Sequence, residues 1–169
     1  DPIWEEMQKV LTGVLLLREL SPRSRDLLRS IGERLIVPVY TAYLQQRGVG
    51  AKAIDARGVI VTKEETDFAV VDFQKTKECC SQLSSIVEGG AIPVVTGFIC
   101  STPEGVTKTL GRGGSDYSAS IIGSCMIADE IQIWTDVDGV MTADPRIVSS
   151  AKVLRQVSYE EAAEMSYFG

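Results

Sequence analysis

Thr109-Leu110-Gly111-Arg112-Gly113-Gly114-Ser115-Asp116-Tyr117-Ser118-Ala119 is the stretch on which the reading of this chain turns. Three glycines permit positive φ and close approach of backbone amides, and the helix predicted from Ser115 to Ala128 offers unpaired N–H donors in its first turn. Arg112 adds a planar guanidinium able to grip an oxyanion with two hydrogen bonds. The whole is suited to an anion, and a helix start favours one by roughly 0.3–1 kcal/mol when exposed. The run fits neither GxxxxGK[ST] nor GxGxxG, since the latter needs a glycine where Tyr117 stands. On local residues alone, a plain strand-to-helix turn stays open.

Working outward, a second run follows: Ile131-Gln132-Ile133-Trp134-Thr135-Asp136-Val137-Asp138-Gly139-Val140-Met141-Thr142-Ala143-Asp144-Pro145-Arg146. Ile131, Ile133 and Trp134 predict a buried strand, which places Thr135 and Asp136 at its carboxyl end, where open parallel sheets bind ligands. Asp138-Gly139 and Asp144-Pro145 also read as ordinary turn pairs.

Before these runs the pattern is helical and then alternating. Ile3, Met7, Val10, Val14 and Leu17 recur at helical spacing, and Ser21-Pro22 supplies an N-cap and first turn for a second helix. Gly32 and Pro38 are expected to weaken or kink it before a stop at Arg47-Gly48. Strands are predicted at 51–54, 59–62, 92–97 and 106–109, with a helix over 75–87 closed by Gly89-Gly90 and another from Tyr159. Residues 67–74 read as a loop and Pro103-Glu104-Gly105 as a turn. Alternating helices and strands predict a layered α/β fold around a largely parallel sheet, with residues 1–48 helical and 49–169 mixed, in one domain.

The formal charge of −6 argues against nucleic-acid or anionic-membrane surfaces, and no apolar run approaches the roughly 18 residues of a membrane helix. A cytoplasmic location follows from this reading. The chain has no histidine, which removes histidine triads, imidazole acid–base catalysis and Cys/His zinc sites. Cys79, Cys80, Cys100 and Cys125 lack CxxC spacing and read as reduced, packed thiols.

Taken together, the glycine run, Ile-Trp-Thr-Asp-Val-Asp-Gly-Val and Ala-Asp-Pro-Arg resemble the aspartate kinase branch of the amino-acid kinase family. Ser158-Tyr159-Glu160-Glu161-Ala162-Ala163-Glu164-Met165-Ser166-Tyr167-Phe168-Gly169, Ser30-Ile31-Gly32-Glu33-Arg34-Leu35 and Pro93-Val94-Val95-Thr96-Gly97-Phe98-Ile99 extend the resemblance over nearly the whole chain. The family's Lys-Phe-Gly-Gly motif and its ACT regulatory domains are absent, and many relatives carry a tyrosine where Met141 stands. The expectation is an internal piece of a catalytic domain with a three-layer α/β/α fold, incomplete at both ends.

The resemblance implies phosphoryl transfer from ATP, with Mg²⁺ on the phosphates, to the side-chain carboxylate of L-aspartate. It gives Arg112 a substrate carboxylate, Glu33 the α-ammonium group and Ser115 a hydrogen bond to substrate. Gly113 and Gly114 would donate backbone N–H groups to phosphate. Asp116 would orient a phosphate-contacting lysine, and Thr135, Asp136, Asp144 and Arg146 would hold the nucleotide. No residue is assigned as a metal ligand, and a homo-oligomer is implied. By itself Glu33 reads as a solvated helix charge. A kinase of glutamate, acetylglutamate, carbamate or a nucleotide remains an alternative, as does a non-catalytic nucleotide-binding piece. A dehydrogenase fits less well, because the glycine run misses its fingerprint by one position.

Overall fold

Residues 2–63 and 69–168 are described by a computed structural model, with side chains as far as Ser166. They fall into two compact units divided after Ile131.

In the first unit, helix α1 (Pro2–Leu17) and helix α2 (Pro22–Gln46) follow the predicted spacing. The Ser21 hydroxyl accepts from Ser24 N–H at 3.2 Å, capping α2 with Pro22 in its first turn. The expected break at Gly32 and Pro38 does not occur, and α2 runs through both. Val37 and Thr41 straddle the proline and are buried, and the Thr41 hydroxyl donates to Val37 O at 2.8 Å. Packing on both sides outweighs the backbone hydrogen bond that Pro38 cannot make.

Strand β1 (Ala51–Ile54) then pairs in parallel with β2 (Ile92–Val95), in register Ala51↔Ile92 through Ile54↔Val95. Helix α3 (Phe73–Glu88) connects them. It starts earlier than predicted because the Asp72 carboxylate caps it, accepting from Lys75 N–H at 3.1 Å. Phe73 and Gln74 are therefore helical, while Asp67 and Phe68 of the expected loop lie outside the described residues. The strand expected at 59–62 is reduced to single bridges, Val61↔Ser101 and Thr62↔Val71. A short 3₁₀ turn at Ala56–Gly58, capped by the Asp55 carboxylate, diverts the chain before a ladder can form. Strands β3 (Ile99–Ser101) and β4 (Thr107–Thr109) form an antiparallel pair across the expected turn at 103–105. Helix α4 (Gly114–Cys125) closes the unit and is shorter than predicted.

Its core gathers Val59, Ile60, Leu83, Ile99, Cys100, Ile121 and Cys125 from the post-β1 segment, α3, β3 and α4. The two-stranded sheets are thus one parallel and one antiparallel among the described residues.

In the second unit the expected strand at 131–134 is not formed, and that sequence is irregular with Trp134 88% exposed. Apolar alternation makes a strand only where a neighbouring strand accepts its backbone bonds, and no ladder among the described residues reaches it. A Met141↔Val153 bridge and helix α5 (Tyr159–Phe168) supply the regular structure. A capping box starts α5: Glu161 N–H donates to the Ser158 hydroxyl at 3.2 Å, and Ser158 N–H to the Glu161 carboxylate at 2.8 Å. That bond to the Ser158 backbone holds the Glu161 carboxyl below its ordinary range.

Candidate functional site

The first set of expected site residues lies in the first unit, around the place where α2, the end of β2 and the start of α4 meet. Gly113 caps α4 in the left-handed region at φ +66° with no side-chain cap, and Gly114 N–H donates to Gly111 O at 3.1 Å within the glycine-rich turn. Gly114 lies where a Cβ would stand 2.6 Å from Phe98 Cδ2 and 3.3 Å from Phe98 Cα. Only glycine lets the helix start press against the Gly97-Phe98 turn.

That turn reaches Glu33. Gly97 N–H donates to Glu33 Oε2 at 3.3 Å, and a Cβ at Gly97 would meet Ser115 Oγ at 3.0 Å. Glu33 and Ser115, 82 residues apart in sequence by subtraction of their numbers, therefore both flank Gly97. Arg112 is exposed on the glycine-rich turn and makes no ion pair among the described residues. Asp116 occupies the first turn of α4, also exposed, and its carbonyl accepts from the Ser120 hydroxyl at 2.9 Å.

Behind the turn, the ends of β1 and β2 are tied together. Thr96 N–H donates to Ile54 O at 3.0 Å, and the buried Thr96 hydroxyl accepts from Ala56 N–H at 2.7 Å. Arg57 engages the Asp55 carboxylate at 2.6 Å and donates to the Thr107 hydroxyl at 3.0 Å. Burial works to raise the Asp55 pKa, but the bonds from Arg57 outweigh it and hold the carboxyl low.

The second set of expected site residues lies in the second unit. Asp136, Asp144 and Arg146 line a cavity of about 780 Å³, together with Met141 and Met165. Asp144 and Arg146 form a fork, with Nη2 to Oδ2 at 2.7 Å and Nε to Oδ1 at 3.1 Å, reinforced by Arg146 N–H to Oδ1 at 2.8 Å. The Arg146 hydrogen bonds hold the Asp144 carboxyl below its usual range. The Arg146 guanidinium is thus already engaged by a carboxylate two residues away. Thr135 does not line the cavity; its hydroxyl donates to the Asp136 carboxylate at 3.1 Å.

The residues expected at the site thus fall into two sets: Glu33, Arg112, Gly113, Gly114, Ser115 and Asp116 in one unit, and Thr135, Asp136, Asp144 and Arg146 in the other. Sequence reasoning missed Gly97, Phe98 and Ser118 as shapers of the first set and Met165 as a wall of the second cavity. The Thr-Gly-Phe run at the end of a predicted strand was the available signal for the turn; Ser118 and Met165 carry none in one sequence.

The pattern of the amino acid kinase family matches residues 5–169. The aspartokinase of Schizosaccharomyces pombe is 39% identical over 166 residues, which cover 97% of this chain and 32% of that protein. The lysine-sensitive aspartokinase 3 of Escherichia coli K12 is 38% identical over 173 residues, covering 99% of this chain and 38% of the relative. The crystal structure of E. coli aspartokinase III in complex with aspartate and ADP superimposes with a TM-score of 0.84 at 37% identity, covering 99% of this chain and 38% of that one. The chain spans about a third of the length of the relatives it matches. The α/β fold expected from alternating helices and strands, and from the resemblance, is the fold of that structure. With the family pattern matched over 5–169 and a common fold, the chain belongs to the amino acid kinase family.

Proposed function

We propose that this chain carries the amino-acid and nucleotide elements of an aspartate kinase, which transfers the γ-phosphate of ATP to the side-chain carboxylate of L-aspartate, giving 4-phospho-L-aspartate and ADP. The observation that carries the reading is the approach of Glu33 and Ser115 to the same Gly97 turn, next to the glycine-rich turn bearing Arg112. One anion for an ammonium group and one guanidinium for a carboxylate are the complement of an amino acid.

A carboxylate nucleophile is already ionised and needs no general base, so the task is to bring two anions together and offset the charge on the transferring oxygens. Arg112 would grip a substrate carboxylate, Glu33 would face the α-ammonium and Ser115 would add a hydrogen bond. The backbone N–H groups of Gly113 and Gly114 would donate to phosphate, that of Gly114 in exchange for its bond to Gly111 O, and Asp116 would orient a phosphate-contacting lysine. Thr135, Asp136, Asp144 and Arg146 would hold the nucleotide. The described residues contain no group of three His, Cys, Asp or Glu side chains placed to grip an ion. Mg²⁺ would be carried by phosphate oxygens and water, where it would neutralise charge on the nucleotide.

The relatives' names supply the amino acid. E. coli aspartokinase III was crystallised with aspartate and ADP. Formation of 4-phospho-L-aspartate as the first step toward lysine, threonine and methionine, a cytoplasmic location and homo-oligomeric assembly belong to the same reading. No described helix is long and apolar enough to cross a membrane. A second reading, a piece that binds nucleotide without turnover, is kept because the chain spans only about a third of the relatives it matches. Measured turnover by the chain would exclude it.

Calorimetric titration with L-aspartate and with Mg·ADP tests the assignment. Arg112→Ala is expected to weaken aspartate binding about 10–100-fold, the worth of a charge-assisted hydrogen bond, and to leave Mg·ADP within twofold. Equal loss of both ligands would remove Arg112 from the substrate. Arg146→Ala should show the converse pattern.

A further inference from the structure

Phe98 is held in an uncommon conformation. Its φ is +66°, and Ile99 N–H donates across it to Gly97 O at 2.7 Å, closing a three-residue turn of the left-handed kind. Such turns carry strain and persist where neighbouring groups over-determine them. Three contacts do so here. Leu110 N–H donates to Phe98 O at 2.8 Å, the Phe98 ring lies over Gly114, and Phe98 N–H donates to the Ser118 hydroxyl at 2.7 Å.

Ser118 is 2% exposed and stands one helical turn after Gly114. Its hydroxyl accepts from Phe98 N–H and donates to Gly114 O at 2.5 Å, using donor and acceptor at once. A single buried oxygen therefore joins the strained turn to the first turn of α4. Through the neighbouring Gly97 N–H it also fixes the distance between Glu33 and the helix start.

We propose that Ser118 is a positioning residue for the amino-acid half of the site, holding the Gly97-Phe98 turn against α4 so that Glu33 and Ser115 address one ligand together. The proposal rests on the aspartate kinase reading for the identity of that ligand. Ser118→Ala leaves the part-buried Phe98 N–H without its acceptor, and the turn relieves this by leaving its left-handed conformation and carrying Gly97 away from Glu33. Ser118→Thr keeps the oxygen at the same branch point.

The test compares the unsubstituted chain with Ser118→Ala, Ser118→Cys and Ser118→Thr by titration with L-aspartate and Mg·ADP, alongside amide hydrogen exchange. Ser118→Ala is expected to weaken aspartate binding about tenfold or more, matching loss of one buried hydrogen bond, with Mg·ADP within twofold. Ser118→Thr should restore aspartate binding to within about threefold, and Ser118→Cys, with its weak sulfur acceptor, should fall between. Aspartate affinity unchanged in any folded Ala or Cys variant overturns the proposal, as does parallel loss of both ligands. If the unsubstituted chain binds no L-aspartate, the aspartate kinase reading fails, and Ser118 is judged by exchange. Faster exchange at Gly97 and Phe98 in Ala and Cys but not in Thr upholds the positioning role. Equal protection in all variants overturns it.

Discussion

The two units divide the labour of the chain unequally. Every buried residue belongs to the first, where Val59, Ile60, Leu83, Ile99 and Cys100 are fully enclosed. Among described residues of the second, none is buried, and Ile147 and Tyr159 stand 82% and 98% exposed. Yet the second carries Thr135, Asp136, Asp144 and Arg146, the residues proposed to hold the nucleotide. Chemistry can be concentrated in a segment with little packing of its own, held by turns, one bridge and a capping box.

The contrast is broken most directly by truncating one large side chain in each unit. Leu83→Ala opens a hole beneath α3 and should cost about 2–5 kcal/mol in urea unfolding. Trp134→Ala removes a larger group and should stay within about 0.5 kcal/mol, because its ring already lies in solvent. Equal costs would mean the second unit has a core that its exposure conceals.

Gly114→Ala probes the boundary between packing and function within the first unit. The new methyl would sit 2.6 Å from Phe98 Cδ2 and 3.3 Å from both Leu110 Cβ and Phe98 Cα, so the turn must move. A loss of about 1–3 kcal/mol is expected, with aspartate binding weakened and Mg·ADP binding retained. Calorimetry on the same sample reads both ligands, and a parallel loss would contradict the separation of the two sets.

How much of this was legible depends on the range of the interactions concerned. Helix ends written in adjacent residues were readable: Ser21-Pro22 opening α2, Gly90 ending α3 at φ +78°, and Gly113-Gly114 opening α4. The start of α3 was missed although its cap, Asp72, is local, because the loop reading had absorbed it. Ile131 to Trp134 was misread for a deeper reason. Alternation reports what a strand would bury, whereas forming one requires a partner that no short window shows. Site residues were legible where motifs marked them. The Phe98 turn was not, since its conformation depends on Ser118, twenty residues on, and Leu110.

Smaller effects sharpen the comparison through pH. Burial, aided by the Asp26 carboxylate, pushes the Cys100 thiol from 9.0 up to about 12. The unfolded thiol ionises first, so this stabilisation is complete below pH 9 and is lost as pH rises toward 12. In urea unfolding between pH 9 and 10, the chain should lose about 1 kcal/mol more than Cys100→Ala. The shifted carboxyls of the second unit, Asp144 and Glu161, work in the opposite direction. Both are held low, so what they contribute is present above their ordinary pKa and is lost as pH falls through the lowered one. An alkaline limb that survives Cys100→Ala unchanged would assign it elsewhere.

The smallest effect concerns the end of α4. Ile127 N–H donates to Ser124 O at 3.2 Å and Ala128 N–H to Gly123 O at 2.9 Å, the paired bonds with which a left-handed residue ends a helix. Gly48 and Gly90 fill that place after α2 and α3, but after α4 it is a β-branched isoleucine at φ +54°. The left-handed conformation costs an ordinary residue about 1–2 kcal/mol, and Ile127 is 78% exposed, so little burial offsets it. Ile127→Gly removes the strain but adds freedom to the unfolded chain, which takes back part of the gain. The expected result is stabilisation by about 0.5–1 kcal/mol, read as a higher urea midpoint at unchanged slope. A lower midpoint would show that the covered part of the side chain outweighs the backbone, and that packing extends to the last residues of the first unit.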